Sequence, residues 1–128
     1  MNELATSATN ATTKSMENVN KSYSNMPAVN AMYLRYALQY MANSQSYLEN
    51  ALSRMEGKVD IPLTNSEYAT LKELVQANRD LLASAKSITV DENNVDAART
   101  QISNILITAG SQNLAFQKVT VQLLASFT

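Results

Sequence analysis

The C-terminal segment carries a regular heptad pattern, which restricts the fold more than any other feature of the chain. Residues at alternating spacings of three and four form one row along a helix: Val95, Ala98, Ile102, Ile105, Ala109, Gln112, Phe116, Val119 and Leu123. Such a row is typical of a helix that packs lengthwise against another helix. We therefore predict a long helix around residues 91–127 that is one half of a helical pair.

The remaining faces of this predicted helix carry almost no charge, since Lys118 is the only charged residue after Arg99. Outside the heptad row lie Leu106, Ile107, Leu114, Val121 and Leu124, interleaved with uncharged polar residues such as Asn104, Ser111, Gln117 and Thr120. A helix that is apolar on several faces is buried on several sides. A membrane span needs about 20 predominantly apolar residues, which this segment lacks. We therefore expect other protein chains to cover these faces, with the polar residues forming intersubunit hydrogen bonds or lining a lumen.

A second heptad row precedes the first by about 60 residues and consists of Leu34, Leu38, Met41, Gln45, Leu48, Leu52 and Met55. It predicts a long helix around residues 30–56, which we expect to pair with the C-terminal helix as an antiparallel coiled coil. Each row contains one glutamine, Gln45 or Gln112. A buried glutamine can fix the register of a helical pair or form a bond to a neighbouring helix.

Four tyrosines widen the apolar face of the first long helix: Tyr33, Tyr36, Tyr40 and Tyr47. At helical spacing, tyrosines are more typical of core or interface packing than of a cofactor site or a base-stacking platform. We therefore assign them to packing.

A shorter helix is predicted between the two long ones. The run Thr64-Asn65-Ser66-Glu67 fits a capping box, and Leu63 with Tyr68 fits the hydrophobic staple around it, so we expect the helix to begin at Thr64. Gly57 is expected to end the preceding helix, and Thr89 or Asp91 to cap the following one.

The first 28 residues are dominated by Asn, Thr, Ser and Ala, and their apolar residues follow no helical or strand period. Such a segment buries too little apolar surface to offset its ordering entropy. We predict an all-α protein with a disordered tail over residues 1–28 and a helical coiled-coil domain over residues 29–128.

Composition disfavours several classes of function. The chain has no Cys and no His, only two glycines and a net charge of −1, so thiolate and imidazole chemistry, phosphate loops and a basic nucleic-acid surface are absent. Asp91, Glu92 and Asp96 lack the spacing of a calcium loop. We predict no enzymatic activity, no cofactor, no metal site, no nucleic-acid partner and no transmembrane segment. A Sec-type signal peptide is not expected either.

Two segments resemble the terminal helices of flagellins. Residues 43–57 match the first flagellin helix at Ser44, Gln45, Ser46, Leu48, Ala51, Arg54 and Gly57. The C-terminal helix is similar at Ile105, Leu106, Ala109, Gly110, Ser111, Leu114, Ala115, Gln122 and Ser126. The chain is also similar in plan to EspA-like filament proteins of type III secretion systems. The resemblance implies an exported subunit with a disordered N-terminal export signal and terminal helices that pack in a filament wall.

The predicted function is a self-assembling structural subunit of an extracellular helical filament, with an export chaperone as a further possible partner. The two rows, from Leu34 to Met55 and from Ile102 to Leu123, form the predicted helix-pairing and self-assembly interface. Removal of residues 119–128 is expected to abolish assembly and leave a helical monomer. Two alternatives stay open: a helical export chaperone or adaptor that binds a partner helix in an apolar groove, and a compact three-helix domain without an assembly role.

Overall fold

A computed structural model of the chain describes residues 2–58, 62 and 64–126. The described residues form four helices and no strand: α1 (Asn2–Lys21), α2 (Pro27–Lys58), α3 (Ser66–Lys86) and α4 (Val95–Ala125). The prediction of an all-α protein is confirmed.

The four helices form a bundle in which each helix packs beside two neighbours. Helix α1 lies between α2 and α4, and α3 lies between the same two helices on the other side, without contacting α1 in the described part of the chain. Helices α2 and α4 therefore occupy opposite corners of the bundle and meet only across its centre. This is the usual arrangement of a bundle whose helices are joined by short connections.

Side-chain hydrogen bonds establish that α1 and α2 are antiparallel. The hydroxyl of Ser15 donates to the carbonyl of Ala37 (2.6 Å), whereas the hydroxyl of Thr12, one turn earlier, donates to Ser44, two turns later in α2 (3.0 Å). Later residues of α1 therefore contact earlier residues of α2, as expected for antiparallel helices.

Helix α4 is also antiparallel to α1. At one end of the bundle Arg99 donates to the Ser22 hydroxyl (2.9 Å), and at the other the Thr9 hydroxyl donates to Gln117 (3.1 Å). Two helices that are both antiparallel to α1 must run in the same direction, so α2 and α4 are parallel. The expected antiparallel pairing of these two helices is thus wrong, because the single helix between them, α3, runs antiparallel to α2 and returns the chain to the end of the bundle at which α2 begins.

An additional helix, α1, replaces the predicted disordered tail. One face of α1 is buried at spacings of three and four: Ala5, Ala8, Thr12, Ser15 and Val19. These side chains are small or polar, so the row has heptad spacing without the large apolar residues that usually reveal it. Small residues let α1 approach α2 and α4 closely, and packing against those helices supplies the stability that local sequence lacks. The folded region therefore begins in α1 and not at residue 29.

The core consists of two apolar clusters, one towards each end of the bundle. The cluster near the α1–α2 connection contains Val19, Ala31, Leu34, Ala37, Met41, Ala85, Val95, Ala98, Ile102 and Leu106. The cluster near the opposite end contains Ala5, Ala8, Leu48, Ala51, Met55, Leu71, Val75, Phe116 and Leu123. Both clusters draw on all four helices, so α1 contributes to the core at both ends of the bundle.

The helix ends differ in detail from those expected. Asn65 is the N-cap of α3 and accepts a hydrogen bond from the Tyr68 amide (2.8 Å), so the helix begins one residue after it. Asn94, not Thr89 or Asp91, is the N-cap position of α4. Gly57 lies inside α2, which continues to Lys58, and it does not adopt a positive φ. The proposed staple residue Leu63 lies outside the described residues.

A side-chain contact joins the last turns of α2 to the first turn of α3. The Tyr68 hydroxyl donates a hydrogen bond to the Glu56 carboxylate. This bond, together with burial and the negative charge of Glu56, raises the pKa of Tyr68 above its ordinary value. The contact holds the two helices together across their connection.

Substitution of Ala8 by leucine tests whether α1 is packed as described. Ala8 is completely buried, so the larger side chain should overpack the core and lower the free energy of unfolding by about 1–3 kcal/mol. Urea unfolding followed by circular dichroism measures this change. The matched control is Ala83→Leu at an exposed position of α3, for which we expect a change within about 0.5 kcal/mol. Equal effects of the two substitutions would contradict the packing of α1.

Candidate interaction surface

The residues predicted for the helix-pairing and self-assembly interface all lie in the interior of the bundle. Leu34, Met41, Gln45, Leu48, Met55, Ile102, Ala109, Phe116 and Leu123 are buried, and Leu38, Leu52, Ile105, Gln112 and Val119 are half-buried. They contact other helices of the same chain, mainly α1 and α3. The buried members present no free surface to a second copy, so an assembly interface has to use other residues.

A layer of buried polar side chains separates the two apolar clusters. Asn113 of α4 donates from its amide nitrogen to the hydroxyls of Thr12 and Ser44, at 3.0 Å from Ser44. The Thr12 hydroxyl donates to that of Ser44, which in turn donates to the carbonyl of Ala8 (2.9 Å). One connected network therefore joins α1, α2 and α4. Because sliding any of the three helices would break it, the network fixes their register.

A second buried pair joins α2 to α3. The amide of Asn78 donates to Gln45 (2.6 Å), and the amide of Gln45 reaches the Val75 carbonyl (3.4 Å). Gln45 thus bonds to a neighbouring helix within the chain, which was one of its two predicted roles. The oxygens of Gln112, Asn113 and Thr120 are also buried, and they have no hydrogen-bond partner in the structure.

A buried arginine fastens the first turn of α4 to the α1–α2 connection. Arg99 donates to the hydroxyl and carbonyl of Ser22 and to the Asp96 carboxylate (2.8 Å), and it lies 4.1 Å from the centre of the Tyr23 ring. A cleft of about 670 Å³ opens beside it, lined mainly by amide and carboxylate side chains of the two connections. Since Arg99 is engaged on several sides, its role here is to hold the end of the bundle together.

The outer surface is divided into a charged side and a nearly uncharged side. Helix α3 carries closely spaced charges throughout, including the exposed Arg79, which forms an ion pair with Glu49 of α2. In contrast, the sequence has no charge over residues 4–13 of α1, 36–48 of α2 and 100–117 of α4. These three stretches surround the polar layer, so the charges near the middle of the bundle come mainly from α3 and from Lys14 and Glu17 of α1.

The uncharged part of α4 presents an exposed aliphatic row. Ile107, Leu114 and Val121 follow one another at intervals of seven and are 66%, 59% and 52% exposed. They point away from the buried row of the same helix, and an exposed apolar strip of this kind marks an interaction site. Ile107 and Leu114 also border a groove of about 410 Å³ between α1 and α4, whose floor includes Gly110.

Helix α2 presents a second exposed row, formed mainly by aromatic residues. Met32, Tyr36 and Tyr47 are 37%, 44% and 37% exposed, and the half-buried Tyr40 lies between the two tyrosines. Tyr40 and Tyr47 border a hollow between α1 and α2 together with the polar Asn43. Spacing predicted core or interface packing for the four tyrosines; Tyr33 and Tyr40 are half-buried, whereas Tyr36 and Tyr47 are exposed.

Comparison with known proteins identifies no relative: no family model, no curated protein and no solved structure matches the chain. Two structural findings bear on the functional classes. No helix in the described ranges is both long and apolar enough to cross a membrane. Within those same ranges, no three carboxylate, imidazole or thiol side chains come together as a metal site.

The sequence indicated some features of this surface and concealed others. Of the five apolar residues placed outside the heptad row of α4, Ile107, Leu114 and Val121 are exposed, whereas Leu106 is buried and Leu124 is half-buried. Thr120 is completely buried, however, and Gln117 bonds to Thr6 and Thr9 of the same chain (3.1 Å each), so neither is free for a second subunit. Asn113 was not singled out, although its position next to Gln112 in the heptad row was a usable signal.

A double-mutant cycle on Ser44 and Asn113 tests the polar layer. Asn113→Ala and Ser44→Ala should each lower the free energy of unfolding by about 1–3 kcal/mol, because each removes buried hydrogen bonds. Because the two residues share one network, the double variant should deviate from the sum of the single effects by about 0.5–3 kcal/mol. The control cycle combines Asn113→Ala with Thr70→Ala on exposed α3, where additivity is expected. Additive effects in the first cycle would show that the network is not coupled.

Proposed function

We propose that this chain is a self-assembling structural subunit and that the row Ile107, Leu114 and Val121 of α4 is covered by a second copy of the chain. The observation that carries the proposal is the strong exposure of these three side chains on a face of α4 where Lys118 is the one charged residue. Burial of each large aliphatic side chain contributes roughly 1.5–3 kcal/mol, so covering the row gives an appreciable driving force.

The surroundings of the row support contact between copies. The charged residues beside it are Lys118 of α4 and Glu17 of α1, which lines the groove next to Ile107 and Leu114. Exposed Asn104 and Ser111 offer hydrogen bonds without the cost of burying an ion. An uncharged contact is driven by apolar burial and packing, and it depends little on ionic strength. We therefore expect assembly to persist between about 0.1 and 1 M salt.

The groove between α1 and α4 favours a second candidate function, that of an adaptor or export chaperone which binds a partner's helix. Its floor at Gly110 has no side chain, and Ile107 and Leu114 line one wall. An amphipathic helix with apolar residues at heptad spacing would fit such a wall. Under this alternative the purified chain keeps a constant size at all concentrations and grows only when the partner is added.

The resemblance to flagellins and EspA-like proteins extends this proposal to a filament that forms outside the cell. The segment expected to be an export signal is helix α1, which has a buried face in the folded bundle. Secretion by such a route therefore requires α1 to be released before or during export. We also propose that an export machine secretes the chain and that an export chaperone binds it beforehand.

Leu114→Arg tests the proposed function directly. Placing a charge in the middle of the row should raise the concentration needed for assembly by at least about tenfold, since 1.4 kcal/mol corresponds to a factor of ten. Electron microscopy of concentrated protein and sedimentation velocity measure assembly. This substitution is a cleaner test than removal of residues 119–128, because that truncation also removes the completely buried Leu123.

The control for this experiment is Ala83→Arg, which adds the same side chain at an exposed position of α3, on the charged side of the bundle. It should assemble like the unsubstituted protein, and circular dichroism should show both variants to be folded. Unchanged assembly of Leu114→Arg, or the absence of any assembly by the unsubstituted chain, would refute the proposal.

A further inference from the structure

We propose that Ile107 and Leu114, the first two residues of the row on α4, are covered by the tyrosine row on α2 of the next copy, formed by Tyr36, Tyr40 and Tyr47. This inference rests on the proposed self-assembly and specifies the contact. Such a contact is heterologous, because it joins two different surfaces of the chain, and each copy retains one free surface of each kind.

The positions of α2 and α4 in the bundle make the two rows geometrically compatible. The two helices occupy opposite corners, so their outer faces point in roughly opposite directions. Moving a copy sideways along the line that joins these corners brings its α4 face against the α2 face of the next copy. Because α2 and α4 run parallel within one chain, they are also parallel across this contact.

The axial register of the two rows follows from the polar layer. Asn113 bonds to Ser44, so these residues lie at the same height in parallel helices. Both helices rise 1.5 Å per residue, and Ile107 therefore lies at the height of residue 38 and Leu114 at that of residue 45. A sideways shift thus places Ile107 between Tyr36 and Tyr40, and Leu114 between Asn43 and Tyr47. No sliding along the axis is needed for the aliphatic side chains to fit between those of α2.

The chemistry of the two surfaces is also compatible. Aromatic rings provide large apolar contact areas for aliphatic side chains, and the tyrosine hydroxyls can keep hydrogen bonds at the edge of the contact. Neither helix carries a charge over residues 36–48 and 100–117, so these stretches bury no unpaired ion when they meet, and Lys118 of α4 and Lys14 of α1 lie beside them. An isologous contact between two α4 rows would leave the exposed tyrosines of α2 uncovered.

The same contact repeated between successive copies generates an extended array. Both rows lean towards the α1 side of the bundle, since each borders a groove shared with α1. Successive copies are then related by a sideways shift combined with a rotation about the bundle axis. Repeated without an axial shift, this step closes into a ring; with a small axial shift in each step it gives a helical array.

Mixing two variants that each lack one surface tests this inference. The first variant, Ile107→Arg/Leu114→Arg, keeps the tyrosine row, and the second, Tyr36→Arg/Tyr47→Arg, keeps the aliphatic row. Each should be monomeric alone at concentrations where the unsubstituted chain assembles. Their equimolar mixture should form a 1:1 heterodimer that grows no further, because the two remaining surfaces are blocked. Sedimentation velocity separates these species, and Ala83→Arg serves as the charge control.

The outcomes distinguish the inference from the proposed function. If the tyrosine variant alone forms a dimer and the mixture forms no heterodimer, the α4 rows pair with each other, and this inference fails while self-assembly stands. If the tyrosine variant assembles fully, α2 does not form the opposing surface, and again this inference fails while self-assembly stands. If the unsubstituted chain remains monomeric throughout, both the inference and the proposed function fail.

Cysteine crosslinking provides a second readout in the assembled state, since the chain has no cysteine of its own. Leu114→Cys and Asn43→Cys, each alone, should give no crosslinked dimer with a short bis-maleimide. The variant with both substitutions should give a ladder of covalent oligomers, because the two positions face each other across the contact. A dimer from Leu114→Cys alone, or no ladder from the double variant, would overturn the proposed pairing.

Discussion

The packing of α1 between α2 and α4 is the contact on which the rest of the structure depends. Its buried face is made of small residues such as Ala5, Ala8 and Ser15, which allow close approach of the helix backbones. With α1 in place, the heptad rows of α2 and α4 are covered within the chain. The same packing decides which faces of α2 and α4 remain outside, and these outer faces are the ones that carry the tyrosine row and the aliphatic row.

The buried polar layer complements this packing by setting the height of the helices relative to each other. Apolar clusters alone tolerate small axial shifts, whereas the hydrogen bonds among Thr12, Ser44 and Asn113 do not. Buried polar groups contribute little net stability, so their main consequence here is a defined register. This register also sets the heights of the outer rows. Because Asn113 is level with Ser44, Ile107 and Leu114 are level with residues 38 and 45 of α2.

The sequence predicted the parts of the fold that depend on large side chains. Leucine, methionine and phenylalanine at heptad spacing identified α2 and α4, and an Asn-containing cap identified α3. Helix α1 escaped because its row, from Ala5 to Val19, has the same spacing but almost no large apolar residue. The wrong direction for the α2–α4 pair has a separate cause: one full-length helix, α3, lies between them, so α4 starts at the same end of the bundle as α2. The sequence predicted apolar residues outside the heptad row of α4, and three of them form the exposed row. It could not predict which tyrosines of α2 face outward, because this depends on where α1 and α3 pack.

The proposed self-assembly requires that the nearly uncharged outer faces of the bundle be covered by further copies of the same chain. The most direct test is the weight-average molar mass of the purified protein, measured by static light scattering over a wide range of concentration at low and high salt. We predict a mass that starts near the 14.0 kDa of one chain and rises continuously with concentration at both ionic strengths. A mass that remains at one chain, or stops at a dimer, at every concentration would contradict it.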